Sequence, residues 1–327
     1  MTSDAVEISG TASAARERDT LPIQAAYLAA EGYERPLAEE LSRRCVTITA
    51  WHGRLALSPE PPVEAAWALD IWLAPRQLTG LSVKGAADAL RAVQRNWGVY
   101  AVDHHRRIAL IQDRLPPVKA APLVFPAAAP SAHLGAWTLL APDRLLFSPV
   151  KTSPFINGEC YFVEDRIGPP SRAYLKLWEA FARARVWPGP GDTCLDLGAS
   201  PGGWTWVLAR LGAAAVAVDK APLDPGIAAM PGVTQRRESA FALAPEPVDW
   251  LFSDIAAYPN RLLTLVHRWI AAGAARRIIC TIKFQGETDH GAAEAFAAIP
   301  GGCVAHLFHN KHELTFWWGF GPTENIA

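Results

Sequence analysis

The chain has 327 residues, of which 50% are hydrophobic and 19% charged, and its formal net charge at pH 7 is −1. This length is enough for two domains with cores of their own, and the composition is that of an ordinary globular protein. A charge so close to zero excludes a broadly basic nucleic-acid binder, so a surface for nucleic acid must be a local patch.

Cysteine usage and the N-terminus indicate the compartment. The five cysteines are scattered, odd in number and without C-x-x-C spacing. We therefore expect a cytoplasmic protein with no disulfide framework and no metal site. Met1–Thr20 is polar and lacks the apolar core of a signal peptide, which predicts a flexible tail. No stretch reaches the ~18–20 apolar residues that a membrane helix needs.

Residues 21–115 predict a small α+β domain, and residues 116–165 a linker that ends in a hairpin. The expected elements in the first of these are a helix Pro36–Arg44, strands Cys45–Ala50 and Arg54–Leu57, a helix Ala86–Trp97, and a hairpin of Gly98–Val102 with Ile108–Gln112. Several prolines and alanines make residues 116–130 a linker, and the hairpin after it is predicted from Ala136–Leu140 and Arg144–Ser148.

Residues 166–327 follow a regular α/β pattern, which opens with a helix over Ser171–Arg185 and Ser171 as its N-cap. The predicted strands are Thr193–Leu197, Ala214–Asp219, Val248–Asp254, Arg277–Lys283, Cys303–Phe308 and Leu314–Trp318. Only His309–Glu313 separates the last two, which is too short for a parallel crossover, so these strands must form an antiparallel hairpin.

The segment Asp196–Trp204, D-L-G-A-S-P-G-G-W, joins the first of these strands to a predicted helix, Trp204–Leu211. Glycines at such a turn let backbone N–H groups approach a ligand at the positive end of the helix dipole. Pro201 departs from the dinucleotide pattern G-x-G-x-x-G. Asp219 ends the next strand, where an acid can accept hydrogen bonds from a ribose diol. The pattern fits S-adenosylmethionine as well as it fits a nucleotide.

This motif resembles the signature of the FtsJ-type ribose 2′-O-methyltransferases. Four further residues fit that family's K-D-K-E tetrad: Lys176, Asp254, Lys283 and Glu313. Ser153-Pro-Phe and the run Pro170–Phe181 are similar to the RlmM branch, which modifies a cytidine of 23S ribosomal RNA. The resemblance runs from about Ser153 to the C-terminus.

The resemblance implies a Rossmann-like S-adenosylmethionine methyltransferase domain, with a mainly parallel sheet that ends in an antiparallel hairpin. It also implies S-adenosylmethionine as the cofactor and RNA, above all 23S ribosomal RNA, as the partner. In the RlmM branch the preceding region contains a THUMP-type RNA-binding domain. Residues 21–115 are therefore expected to be a THUMP-like RNA-binding domain.

The tetrad has a chemical rationale, because a ribose 2′-hydroxyl is a poor nucleophile and needs a base or a strong orienting group. Lys283 is the predicted base, since it ends an apolar strand at the sheet edge where open α/β folds bind ligands. Lys176 is expected to supply a second positive charge, Asp254 to hold the lysine or the hydroxyl, and Glu313 to orient one of the lysines.

The cofactor contacts implied by the resemblance are Gly198, Ser200, Pro201, Gly202, Gly203, Trp204, Asp219, Ser239 and Asp254. Ser239 stands where many relatives have an acid for the adenine amino group, and Trp204 is equally well explained as a packing residue. Lys151, Arg166 and Arg172 flank the tetrad helix and are the predicted RNA contacts.

Two alternatives remain open at the level of sequence. The first is a methyltransferase for a small molecule or a protein, with the N-terminal region as a lid. The second is an RNA-binding module that retains the fold without turnover. The complete tetrad argues against the second, whereas the near-neutral charge keeps the first open.

Overall fold

The computed structural model describes residues 22–321, which form two compact units. The first unit is the chain up to residue 120 together with residues 131–157, and the second is residues 121–130 together with the chain from residue 158. The predicted flexible tail, Met1–Thr20, lies outside the described residues. The chain passes between the units three times, after residues 120, 130 and 157, and the last of these crossings lies in a 3₁₀ turn, Ile156–Gly158.

The first unit contains two four-stranded sheets and three helices in its described part. In chain order its elements are β1 (Ala25–Ala29), α1 (Glu34–Arg43), β2 (Ala50–His52), β3 (Leu55–Ser58), β4 (Ala68–Trp72), β5 (Arg76–Leu78), α2 (Val83–Val93), β6 (Trp97–Val99), α3 (His105–Gln112), β7 (Gly135–Ala141) and β8 (Arg144–Ser148). One sheet has the order β2-β3-β1-β4, and the other has the order β5-β8-β7-β6.

Successive side chains of β8 point to opposite faces and belong to two different hydrophobic clusters of this unit. Leu145 and Phe147 pack with helices α2 and α3, whereas Leu146 packs with residues of the other sheet, such as Leu28 and Leu55. Because successive side chains of a strand point to opposite faces, this sheet has helices on one side and a second sheet on the other.

Two predictions for the first unit are wrong in part. Residues 108–112 are helical rather than extended, because Ile108 and Ile111, three residues apart, form one buried helix face in the core. Strand β6 pairs instead with β7 in parallel, an arrangement that a hairpin cannot give. The predicted strand Cys45–Ala50 also begins too early: Cys45 has φ +59°, and β2 starts at Ala50.

The predicted 116–165 segment is not a separate linker. Its hairpin, β7–β8, is confirmed as a hairpin, but it supplies the two central strands of the first unit's second sheet. Residues 121–130 belong to the second unit, where Phe125 stacks on Trp178 with ring centroids 4.7 Å apart. Backbone pairing therefore assigns the hairpin to the first unit, and aromatic packing assigns residues 121–130 to the second. A count of prolines reveals neither assignment.

The second unit is a seven-stranded sheet with helices on it. Its elements are α4 (Tyr174–Ala184), β9 (Thr193–Leu197), α5 (Gly203–Arg210), β10 (Ala214–Val218), α6 (Pro225–Ala228), β11 (Val233–Arg236), β12 (Val248–Ser253), α7 (Pro259–Ala271), β13 (Ala275–Lys283), α8 (His290–Ala297), β14 (Gly302–Ala305) and β15 (Glu313–Trp318). The strand order is β11-β10-β9-β12-β13-β15-β14.

Pairing in this sheet confirms the predicted Rossmann-like α/β fold. Strands β9 to β13 pair in parallel, and β15 is antiparallel to both β13 and β14. The sequence missed β11, an edge strand, and it placed the start of α4 too early. Helix α4 begins at Tyr174 with no side-chain cap, so Ser171 is not its N-cap.

Candidate active site

The sheet topology brings three of the predicted tetrad residues to one edge. Asp254 follows the last residue of β12, and Lys283 is the last residue of β13. Strand β15 runs the other way, and its first residue, Glu313, pairs directly with Lys283. This edge holds the carboxyl ends of the parallel strands, where open α/β sheets bind their ligands.

Helix α4 contributes the fourth residue, Lys176. Its Nζ lies 2.7 Å from Oδ1 of Asp254 and 3.0 Å from Oε1 of Glu313. Burial alone lowers the pKa of a lysine, but the two carboxylates outweigh it, and the pKa of Lys176 is raised above its usual value. Lys176 is therefore a fixed positive charge that holds two acids.

Asp254 is the centre of the cluster. Its Oδ1 also accepts a hydrogen bond of 2.5 Å from the hydroxyl of Thr281, and it lies 3.1 Å from Nζ of Lys283. Lys283 donates a second hydrogen bond to the backbone carbonyl of Asp254. Thr281 was not predicted, although it lies two residues before Lys283 on the same strand and hence on the same face.

Asp254 and Lys283 line a cavity of about 430 Å³. Of the predicted cofactor contacts, Gly198, Ser200, Pro201, Gly203, Trp204, Asp219 and Asp254 line it as well. Ser171 and Ala173, which were not predicted as cofactor contacts, complete the side next to α4. The glycine-rich turn after β9 therefore faces the same space as the reactive end of the tetrad.

The turn needs its glycines for packing. Gly198 has φ +76°, and a Cβ there would lie 2.9 Å from the Cα of Ile255. Gly202 has φ +116°, and a Cβ there would meet the side chain of Ile227. Neither position accepts another residue without a shift of the chain, because both the backbone angle and the space are restricted.

Asp219 supports the turn from β10. Its Oδ2 accepts a hydrogen bond from the backbone N–H of Ser200, and its Oδ1 accepts one from Ala221. The side chain of Asp219 is thus fixed at the cavity wall, as the position of an acid after the second strand predicts.

Asp196 is a second acid in this wall, and the sequence had treated it only as part of the motif. It is fully buried, with Oδ2 accepting a hydrogen bond from the hydroxyl of Thr205. No described residue makes a hydrogen bond to its Oδ1. Burial raises the pKa of Asp196 to about 7, and the nearby Asp254 and Asp219 add to this shift. The sequence signal that could have identified Asp196 is an acidic residue inside a predicted buried strand.

Several predicted residues do not face the cavity. Gly202 and Ser239 are not among its lining residues in the described structure. The indole of Trp204 donates a hydrogen bond to the carbonyl of Ala173, which gives this side chain a packing role although it borders the cavity. For Lys151 the prediction of an RNA contact is wrong: its side chain is 1% exposed and forms a buried ion pair of 2.7 Å with Asp70.

Arg166 and Arg172 are exposed, as the prediction requires. Both lie near Glu164, at 3.9 Å and 2.7 Å respectively. They border a groove of about 340 Å³ that Ser171 also lines.

Between residues 22 and 321 no group of three or more His, Cys, Asp or Glu side chains is arranged to hold a metal ion. No helix in that range has both the length and the apolar character needed to cross a bilayer. His309, one of the histidines near the last hairpin, makes a hydrogen bond of 2.8 Å to the buried Glu179.

Residues 169–282, within the second unit, match the family model of the FtsJ-like methyltransferases. The match includes Lys176, the glycine-rich turn and Asp254, while Lys283 and Glu313 lie beyond its end. The resemblance stated from the motif is confirmed.

Among curated proteins the chain is similar to ribosomal RNA large subunit methyltransferase M from several bacteria. The protein of Halorhodospira halophila is 38% identical over 159 residues, which are 45% of this chain and 46% of that protein. The protein of Saccharophagus degradans is 46% identical over 107 residues, 31% of each chain. The match thus spans less than half the length of these relatives. Among solved structures, the Methanococcus jannaschii fibrillarin pre-rRNA processing protein is 20% identical, with a TM-score of 0.34 over 45% of this chain and 75% of that one.

Proposed function

We propose that this chain is an S-adenosylmethionine-dependent ribose 2′-O-methyltransferase that acts on large-subunit ribosomal RNA. The observation that carries the proposal is the hydrogen-bonded cluster of Lys176, Asp254, Lys283 and Glu313 beside the cavity of the glycine-rich turn. The FtsJ-like match and the similarity to the large-subunit methyltransferases support the choice of reaction and of substrate.

The cavity suits the cofactor in its charges. Asp196, Asp219 and Asp254 place three carboxylates around about 430 Å³, and Oδ1 of Asp196 is buried there with no hydrogen bond from a described residue. A buried acceptor of this kind fits a cationic ligand that carries hydroxyl groups. Asp219 would hold the ribose diol, and the turn from Gly198 to Gly203 would hold the amino-acid end. When bound, the cofactor supplies a methyl group on a positively charged sulfur.

The roles of the four polar residues follow from their contacts. Lys283, the more exposed lysine, would accept the proton of the ribose 2′-hydroxyl as a neutral amine. The oxygen would then bond to the methyl carbon while the bond from that carbon to the cofactor sulfur breaks and leaves a neutral thioether. Asp254 holds the Lys283 amine through its carboxylate and its backbone carbonyl. Lys176 fixes Asp254, and Glu313 fixes Lys176, so these two are positioning residues. Orientation of the hydroxyl towards the methyl group supplies most of the acceleration.

The first experiment is transfer of labelled methyl groups from S-adenosylmethionine to ribosomal RNA from cells that lack the gene. Nuclease digestion then maps the modified ribose. A single 2′-O-methyl nucleotide in large-subunit RNA is the expected result. Incorporation that survives RNase treatment would instead show a protein or small-molecule substrate, and incorporation only into assembled subunits would change the substrate but not the chemistry.

The RNA-holding role of the first unit is part of this proposal. The predicted THUMP-like character of residues 21–115 stays a prediction. Arg166 and Arg172 of the second unit remain proposed RNA contacts, because their side chains are exposed beside a groove that reaches Ser171 at the cofactor cavity.

A further inference from the structure

The second unit has a larger cavity, separate from the cofactor cavity, which we name the aromatic cleft. It has a volume of about 540 Å³ and is bordered by residues 124–126, residues 163–167 and side chains of helices α4 and α5. None of the tetrad or cofactor residues lines it. The proposed chemistry therefore leaves this cleft unexplained.

The walls of the cleft are apolar, exposed and held in place. Val124 and Ile167 have exposed fractions of 69% and 98%, unusually high for large apolar side chains. Grouped apolar exposure of this kind marks binding surfaces on soluble proteins. The two wall segments pair through the backbone, because Leu123 donates a hydrogen bond to the carbonyl of Tyr161 and accepts one from Val163. The cleft is thus a built feature and not a gap between loose loops.

Aromatic rings form the floor. Trp178 of α4 is stacked on Phe125, with ring planes 9° apart, and Trp206 of α5 lies 6.0 Å from Trp178 between ring centroids. Phe125 and Trp178 thus form a stacked pair of rings at the base of the cleft.

Two arginines and two acids line the rim. Arg166 is 85% exposed, and Arg210 is exposed with its guanidinium 6.0 Å from the ring of Trp206. The acids are paired within the protein: Glu164 lies 2.7 Å from Arg172 and 3.9 Å from Arg166, and Asp165 accepts hydrogen bonds from two backbone N–H groups. Exposed arginines beside exposed apolar side chains suit the phosphates and the bases of a single-stranded nucleic acid.

The cleft also leads to the active site. Glu164, Asp165 and Arg166 line both the cleft and the adjoining groove of about 340 Å³. Ser171 lines both that groove and the cofactor cavity. The three cavities therefore lie side by side in one unit, which suits a chain-like ligand that also reaches Lys283.

We propose that the aromatic cleft binds an unpaired segment of the substrate RNA next to the reacting nucleotide, with a base against the apolar walls and phosphates on Arg166 and Arg210. This inference rests on the proposed function, since it assigns the path of the RNA strand to the same active site. It predicts that the enzyme prefers targets with a single-stranded flank.

The test is binding of a fluorescein-labelled single-stranded oligoribonucleotide to the full chain, measured by anisotropy over a range of salt. Arg166→Glu and Val124→Glu each place a negative charge at an exposed position of the cleft, where they leave the core intact. Each is expected to weaken binding tenfold or more, and Arg166→Glu to reduce the dependence on salt by about one phosphate contact. In methyl transfer, KM for RNA rises while kcat and cofactor affinity stay constant.

Arg276→Glu is the matched control. Arg276 is 75% exposed and lies beside Asp249, much as Arg166 lies beside Glu164. It is the second residue of β13, at the opposite end of the strand from Lys283. Its replacement is expected to change binding less than twofold. If the cleft variants bind and turn over RNA like this control, the cleft is not on the RNA path and the inference fails.

The outcomes also separate this inference from the proposed function. If the cleft variants lose oligoribonucleotide binding while the unaltered chain methylates no RNA, the cleft stands and the proposed reaction fails. If the unaltered chain methylates RNA and the cleft variants match it on free RNA but fail on assembled subunits, the cleft contacts protein and the inference is wrong.

Discussion

At the scale of single residues, the two lysines of the tetrad have different environments although they share one carboxylate. Lys176 lies between Asp254 and Glu313 with 10% of its side chain exposed, and Lys283 lines the cavity with 26% exposed. Only the second has access to a substrate hydroxyl. The difference predicts different responses to removal of each amine.

Lys283→Ala is expected to slow methyl transfer by about 10²- to 10⁴-fold, because the proton acceptor is lost, while the cofactor still binds. A small primary amine such as ethylamine should restore part of this rate, since it can enter the space that the side chain leaves. The same amine should not rescue Lys176→Ala, whose missing charge is buried. Lys119→Ala, at an exposed position of the first unit, is the control. Equal rescue of both variants would contradict the assignment of the base.

The raised pKa of Asp196 predicts how the stability of the folded protein depends on pH. Its pKa in the folded protein is about 7, above the usual 3.8, so the folded state holds this proton more tightly than the unfolded state does. The contribution of the Asp196 carboxyl to the free energy of unfolding is therefore fully present below about pH 4. It falls as the pH rises to 7, by at most about 4 kcal/mol.

Replacement of Asp196 by Asn removes that loss. Without cofactor, the Tm of Asp196→Asn relative to the unaltered chain should increase from pH 5 to about pH 7 and level off above that. A difference that stays constant over this range would show that the carboxyl is ionised throughout. Cofactor affinity should fall in the same variant, because an amide lacks the negative charge.

At the scale of elements, helix α4 organises the site at two points one turn apart. Lys176 reaches Asp254 and Glu313, and Glu179 reaches the loop that precedes Glu313. Glu179 is fully buried and accepts hydrogen bonds from the backbone N–H groups of Phe308 and His309. Burial opposes its charge, but Arg183 and His309 outweigh that effect and lower the pKa of Glu179.

Glu179→Ala is expected to destabilise the protein by about 3–5 kcal/mol, because it removes the carboxylate of the buried ion pair with Arg183. The amides of Phe308 and His309 should then exchange hydrogen faster, and kcat should fall because Glu313 loses its support. Glu246→Ala is the control: Glu246 is 44% exposed and pairs with Arg236, so its loss should cost less than about 0.5 kcal/mol. Unchanged exchange at both amides would show that Glu179 does not hold the loop.

The sequence predicted elements best where the hydrophobic pattern was long and the connections were short. All six strands foreseen in the second unit are present, and the terminal antiparallel hairpin followed from the shortness of His309–Glu313. Short or edge strands such as β5 and β11 gave too few residues for a pattern. The prediction of a strand over residues 108–112 was wrong because an apolar run of that length does not distinguish a strand from a helix.

The candidate site was predictable only through the family motif. Spacing alone would not have selected Lys176 or Glu313, which come together because β15 returns antiparallel beside β13. The role of Lys151 could not be foreseen, since its partner Asp70 lies 81 residues away in the chain. Long-range pairing of this kind leaves no local trace in a sequence.

At the scale of the whole molecule, the net charge of −1 restricts how RNA is recognised. Counterion release gives basic proteins much of their affinity for any nucleic acid. A nearly neutral chain has little of this general attraction, so selectivity must come from local surfaces such as the aromatic cleft and the exposed arginines beside it.

Because the chain forms two compact units, a destabilising substitution in one unit is expected to leave the other unit folded. Lys151 also donates hydrogen bonds to the carbonyls of Ser153 and Phe155, and Asp70 accepts one from the N–H of Ser153. Lys151→Met removes the cation of the buried ion pair with Asp70, at a cost of about 3–5 kcal/mol. Hydrogen exchange should then accelerate across the strands of the first unit while β9 to β13 stay protected and cofactor binding persists. Equal loss of protection in both units would show that they unfold together.

The register of β15 on β13 has a consequence for protein engineering. Glu313 is placed at the site by its pairing with Lys283, supported by the loop that Glu179 holds and by the pairing of β14 with β15. The length of the connection is therefore free to vary only in exposed turns outside these contacts. The turn at Gln285–Glu287 is such a place, and a reporter sequence inserted there would sit two residues from the proposed base while leaving the strand pair that builds the site unbroken.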